Sequence, residues 1–181
     1  TPDALGPFVC DRVLATRHIM GDFAKNYGLE SLKSVSVIAP NVLGKTGIES
    51  AEIIKSIVKS TKPQAVIVID ALCASDINRL FKTIQFTDAG ISPGSGVKNS
   101  RKEISHKTLG IPVVAIGVPT VVDAKTIAFE LTGKEANDDN EMIVTPKDAD
   151  LLCEKISDFL SISLNVFLQP KIERDVILSL V

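Results

Sequence analysis

The chain holds 181 residues, 45% hydrophobic and 23% charged, which suits one globular domain and excludes a disordered or fibrous chain. Its 20 Lys and Arg against 22 Asp and Glu leave a formal charge of −2, so there is no broad basic footprint for direct nucleic-acid binding. No apolar run approaches the ~20 residues of a membrane-spanning helix, and the three cysteines, Cys10, Cys73 and Cys153, lack any Cys-x-x-Cys spacing and read as reduced core thiols of a cytoplasmic protein.

Thr1-Pro2-Asp3 has the chemistry of a helix start, with Thr as N-cap, Pro at the first position and an acid in the first turn, and Phe8, Val9, Val13, Leu14 and Ile19 extend the helical pattern to about Met20. Val35, Val37 and Ile38 read as a strand. Ile53, Ile54, Ile57 and Val58 carry helical spacing over 48–61, which Pro63 stops. Residues 65–69 are a continuous apolar run ending in Asp70, the mark of a strand buried on both faces. A short helical piece over 75–80 precedes an alternating, exposed strand over 83–88, and a Gly/Pro loop fills 89–102. A buried strand is predicted over 112–118, a helix over 124–131, a polar connection over 133–141, and a long helix opened by Thr145-Pro146 that runs to Leu168; a short helix closes the chain. Alternation of strands and helices predicts a doubly wound, mostly parallel α/β sheet with at least three parallel strands and helices on both faces, forming a single domain over 1–181. Such folds open with a central strand, and this chain opens on the helix that follows one, so the expectation is that an N-terminal strand is missing.

Ligand crevices in open α/β sheets lie at the carboxyl ends of the strands. Asp70 and Asp88 end predicted strands, Asp123 follows a third, and Asp3 stands at the helix that would follow the missing one. Asp123, directly before a helix, reads as an N-cap, and Asp88 as a turn residue or a substrate contact. His18 and His106 have surface or core settings, and no Ser-His-Asp or Cys-His set is apparent.

Several blocks, in this order, resemble the germination protease (spore protease) family: Thr1-Pro2-Asp3-Ala4-Leu5-Gly6-Pro7, Val68-Ile69-Asp70-Ala71-Leu72, Thr83-Ile84-Gln85 leading to Asp88 and Gly90, Ser92-Pro93-Gly94-Ser95-Gly96-Val97, and Gly117-Val118-Pro119-Thr120-Val121-Val122-Asp123-Ala124. The resemblance implies a fold like that of the hydrogenase-maturation peptidases. It also implies an endopeptidase of the spore core that is made as a zymogen, works as a homotetramer, needs no cofactor or metal, and begins the degradation of small acid-soluble spore proteins at germination. Its two essential aspartates correspond to Asp3 and Asp70. Cleavage between a Glu and a following Ile or Phe is implied, so a basic side chain near the crevice is expected to meet the glutamate; Lys45 and Arg101 are the loop residues that are candidates for it.

Two nearby carboxyls cannot both ionise easily, so one keeps a proton while the other activates water. The helix start beside Asp3 favours its ionised form and its role as base. Gly94-Ser95-Gly96 offers backbone donors to a substrate or reads as a plain flexible loop. Two other enzyme readings stay open. Residues 39–46 match a permissive phosphate-loop pattern, with Lys45 on the phosphates, and a metal-assisted peptidase would recruit His106 beside the acids. A non-catalytic scaffold is the reading from outside enzymology.

Overall fold

The computed structural model describes residues 2–95, 101–135 and 142–180. Its α-carbons group into two compact units: residues up to Leu5 together with Pro40–Cys153, and Gly6–Ala39 together with Glu154–Val181.

The first unit is built on a mixed sheet. Strand β1 (Val66–Ala74) pairs in parallel with β3 (Val113–Asp123), while β2 (Gln85–Thr87) and β4 (Ile143–Val144) run antiparallel to β3. By paired length the sheet is mostly parallel, but it holds one parallel pair among the described residues, where at least three parallel strands are predicted. The difference lies in two segments. Residues 34–39 form no ladder, and 85–87 passes to the far side of β3 and runs antiparallel to it. β3 is the buried central strand. β1, predicted to be buried on both faces, is half-buried along most of its length, because β3 is its one partner strand among the described residues.

The strands also run further than the apolar runs suggest. Asp70 lies midway along the nine-residue β1 rather than at its end, because pairing with β3 continues from Asp70 opposite Gly117 to Ala74 opposite Val122. Pro119, which has no N–H to give, is accommodated by a bulge: Leu72 faces Pro119, Cys73 faces Val121, and Thr120 is the extra residue.

Helix α4 (Ser50–Thr61) covers one face of the sheet through Ile54, which packs with Ile104 and Val113; Ala51, Val58, Val66, Val68, Ile91 and Leu109 surround them. The short α3 (Leu43–Thr46) precedes α4, α5 (His106–Leu109) precedes β3, and α6 (Ala124–Thr132) follows it directly. Gly90 has φ +90° and lies against the Ile104–Ser105 backbone, where an added Cβ would stand 2.5 Å from the Ile104 carbonyl oxygen.

The second unit holds most of α1 (Leu5–Arg12), α2 (Gly21–Asn26), the greater part of α7 (Ala149–Leu168), and α8 (Arg174–Leu180). The first helix stops at Arg12, short of the predicted Met20, because the next backbone groups take tertiary partners. Asn165 accepts from the Leu14 N–H at 2.9 Å and donates to the Arg12 carbonyl at 2.9 Å. The buried Gln169 does the same for residue 33, accepting from its N–H and donating to its carbonyl, both at 2.9 Å. Residues 33 and 35 thus satisfy their backbone through side chains and the Thr16 turn rather than through a strand ladder.

Candidate active site

A 3-10 turn, Pro2–Ala4, leads into α1 and packs against both β1 and β3. It is fastened by Cys153, whose Sγ lies 3.7 Å from the Pro2 carbonyl that accepts its proton. Asp3 stands in this turn, exposed. Asp70 lies on the strand beneath, flanked on its own face by Val68 and Leu72, and its carboxyl is pushed up to about 6. Burial is the main cause. The neighbouring charge of Asp3 pushes the same way, and the Ala71 N–H, donating to the carboxylate, opposes both. The structure therefore brings together the two acids singled out from sequence, one solvated and one held among apolar side chains.

The surface between them is shaped by two residues that the sequence reading passed over. Gly117 stands opposite Asp70, and a Cβ there would meet Leu72 Cδ1 at 2.3 Å and Cγ at 2.7 Å. The Leu72 side chain thus occupies the place a Gly117 side chain would take, giving Asp70 an apolar neighbour. A glycine inside the apolar run Ala115–Val118 was the available signal, since such a residue marks close approach of another group. Beyond the carboxyl ends of β1 and β3 lies an open cleft of ≈ 780 Å³, lined by Ser75, Asp76 and Asn78 on one side and by Lys125, Thr126, Phe129 and Glu130 of α6 on the other.

A sequence profile of the germination protease family matches residues 1–132, most of the chain, including the Pro2–Ala4 turn, β1, β3 and α6. The chain belongs to the germination protease family. It is 41% identical to the germination protease of Clostridium tetani over 96% of its own length and 64% of that protein's. It is 52% identical to that of Bacillus velezensis over 77% of its length and 40% of the relative's, and 43% identical to that of Caldanaerobacter subterraneus over 94% and 63%. The chain thus spans between two fifths and two thirds of the length of these relatives. The aligned span of 207 residues with the Clostridium tetani protein is longer than the chain itself, so that relative carries segments with no counterpart here.

In this member of the germination protease family the remaining sequence candidates fall in other places. Asp123 is the N-cap of α6, accepting from the Lys125 N–H at 2.8 Å, as its position before the helix predicts. Asp88 is exposed just after β2; because β2 is antiparallel, its carboxyl end lies at the opposite edge of the sheet from those of β1 and β3. Gly94 has φ +72°, Ser95 is exposed with its N–H on the Ser92 carbonyl, and Gly96 lies outside the described residues. Arg101 is half-buried and its N–H donates to the Pro93 carbonyl at 2.9 Å, which ties it to the glycine loop. Lys45 is exposed on α3. Neither basic side chain acts on Asp70, whose one charged neighbour among the described residues is Asp3.

The phosphate-loop pattern takes another shape. The N–H groups of Lys45 and Thr46 donate to the Val42 carbonyl and that of Gly47 to Leu43, so α3 closes on itself after one turn instead of opening a long helix toward a ligand. His106 is exposed at the start of α5 and His18 is exposed in the second unit. Among the described residues no three His, Cys, Asp or Glu side chains group as metal ligands, and no helix is long and apolar enough to cross a membrane.

Proposed function

We propose that this chain is the catalytic core of an endopeptidase that begins the degradation of small acid-soluble spore proteins during germination, with Asp3 and Asp70 as its catalytic pair. The observation that carries this reading is the raised carboxyl of Asp70, at about 6, beside the charge of Asp3. A carboxyl raised to about 6 keeps its proton into mildly acid solution and can donate it to the scissile carbonyl, while the exposed carboxyl of Asp3 is placed to take a proton from water. The water oxygen bonds to the carbonyl carbon, its proton passes to Asp3, and the Asp70 proton stabilises the new oxyanion. Collapse of that intermediate breaks the C–N bond, and a proton from the pair goes to the leaving amine. In this reading the raised Asp70 carboxyl is the proton donor of the pair.

The wider reading follows from the family. We place the protein in the spore core as a zymogen-derived homotetramer, cutting between a Glu and an Ile or Phe, with Lys45 or Arg101 meeting the glutamate. Its architecture is a doubly wound sheet like that of the hydrogenase-maturation peptidases, completed by a strand preceding Thr1. Among the described residues β3 is the one partner strand of β1, and the other edge of β1 is where such a strand would pair. The deciding experiment incubates full-length protein with a small acid-soluble spore protein beside its Asp3→Asn and Asp70→Asn variants. Both variants should lose several orders of magnitude in kcat while keeping the wild-type circular dichroism. Full activity in Asp70→Asn would end the two-carboxylate reading.

A further inference from the structure

The register of the sheet places a third polar side chain in line with the acids. Gln85 on β2 stands opposite Gly117 on β3, which in turn stands opposite Asp70 on β1. Residues directly paired across a sheet project on the same face. Asp70 and Gln85 therefore project from the same face, with Gly117 between them contributing no side chain. The Leu72 contact at the Gly117 Cβ position fixes that face independently, because Leu72 is two residues from Asp70 on the same strand and alternation returns it to the same side.

The row thus reads, across three strands, a carboxyl, an apolar floor made by Leu72, and a carboxamide. Adjacent strands lie about 4.8 Å apart, so the two outer α-carbons are separated by about 10 Å. An extended peptide advances about 3.3 Å per residue, which puts Gln85 two to three residues from a bond held at Asp70. Gln85 is exposed, and its carboxamide has no hydrogen-bond partner among the described residues. A carboxamide carries both a donor and an acceptor, matching the C=O and N–H of a peptide backbone whatever the side chain attached.

We propose that Gln85 is a substrate-binding residue that hydrogen-bonds the main chain of an extended polypeptide substrate, two to three residues from the scissile bond. This rests on the reading of Asp70 as catalytic. The substrate lies across β3 over Leu72, with its reacting carbonyl at Asp70 and its flanking peptide group on the Gln85 carboxamide. Recognition at this position is by backbone and so is tolerant of sequence, leaving side-chain selection to other contacts.

The test uses full-length protein and a synthetic peptide spanning the bond it cleaves. Gln85→Met keeps the length of the side chain and removes both hydrogen-bonding groups. The expected result is a KM raised about tenfold, the effect of one to two net hydrogen bonds, with kcat within threefold, an unchanged melting temperature and an unchanged pH profile. In an Asp70→Asn background, where the peptide is not cut, the same change should weaken peptide binding by fluorescence anisotropy about tenfold. Gln85→Glu, which keeps an acceptor, should fall between wild type and Gln85→Met. A wild-type KM and a wild-type binding constant in Gln85→Met, beside an inactive Asp70→Asn, would overturn the Gln85 contact and leave the catalytic pair standing. Activity in Asp70→Asn would overturn the pair itself. If Gln85→Met lowers the melting temperature, binding by Gln85→Glu at wild-type stability decides, and affinity equal to wild type in Gln85→Ala as well would refute the contact.

Discussion

Replacing Asp70 with Asn should stabilise the folded protein at neutral pH and leave it unchanged in acid. The Asp70 carboxyl titrates at about 6 when folded, against 3.8 for a free side chain. The folded protein therefore keeps this proton over a pH window in which the unfolded chain has already lost it. Stability from this group is present in full below pH 3.8, declines as pH rises through the window, and is gone above about 6, where the fold must hold an ionised carboxylate among apolar neighbours. A shift of about 2 units corresponds to about 3 kcal/mol, an upper bound for a half-buried group that water partly screens. Asn has nearly the same shape and never ionises, so at pH 7.5 the variant should be more stable by about 1–3 kcal/mol. Urea denaturation of wild type and Asp70→Asn at pH 7.5 and pH 4.0 measures the difference directly. It should shrink toward zero at pH 4.0. A variant that is less stable at pH 7.5, or equally shifted at both pH values, would show that burial does not penalise the Asp70 charge and would remove the main support for its role as proton holder.

Three further outcomes test the packing and the caps. Gly117→Ala should destabilise the protein by about 1–3 kcal/mol, because its Cβ would stand 2.3 Å from Leu72 Cδ1, and adding Leu72→Ala should recover part of that loss in a double-mutant cycle read by thermal melting. Gln169→Leu should cost about 2–3 kcal/mol in urea denaturation, since it strands the Lys33 N–H that Gln169 now accepts from and removes two donated bonds. Asp123→Ala should lower stability by about 1 kcal/mol through loss of the α6 cap, whereas Asp123→Asn should melt within a few tenths of a kcal/mol of wild type and retain its peptidase rate.

Much of this was legible before folding. The apolar periodicity of 48–61 and the continuous runs at 65–69 and 112–118 name α4, β1 and β3, because helical spacing and unbroken apolar strands are local properties. The N-cap role of Asp123 follows from its place before α6, and the ordered signature blocks that contain Asp3 and Asp70 point to the family that the profile match then establishes. Strand ends were not legible. Apolar residues stop at Ile69, but the ladder does not, because hydrogen bonding to β3 continues whether or not the side chains are hydrophobic. The direction of β2 was equally hidden, and with it the separation of Asp88 from the edge that bears Asp123. The helix at the start of the chain looked longer than it is because nothing in residues 13–20 announces that Asn165, some 150 positions away, takes up the backbone groups at its end.

The sequence by itself determined the main helices, the two long strands, the family and the two acids to examine, since each is written in residue type and local order. The tertiary structure alone decided that partial burial raises the Asp70 carboxyl, and that Gly117, Leu72 and Gln85 share its row. Desolvation, charge proximity and cross-strand register depend on what segments distant in the chain bring alongside one another, and no local pattern encodes them.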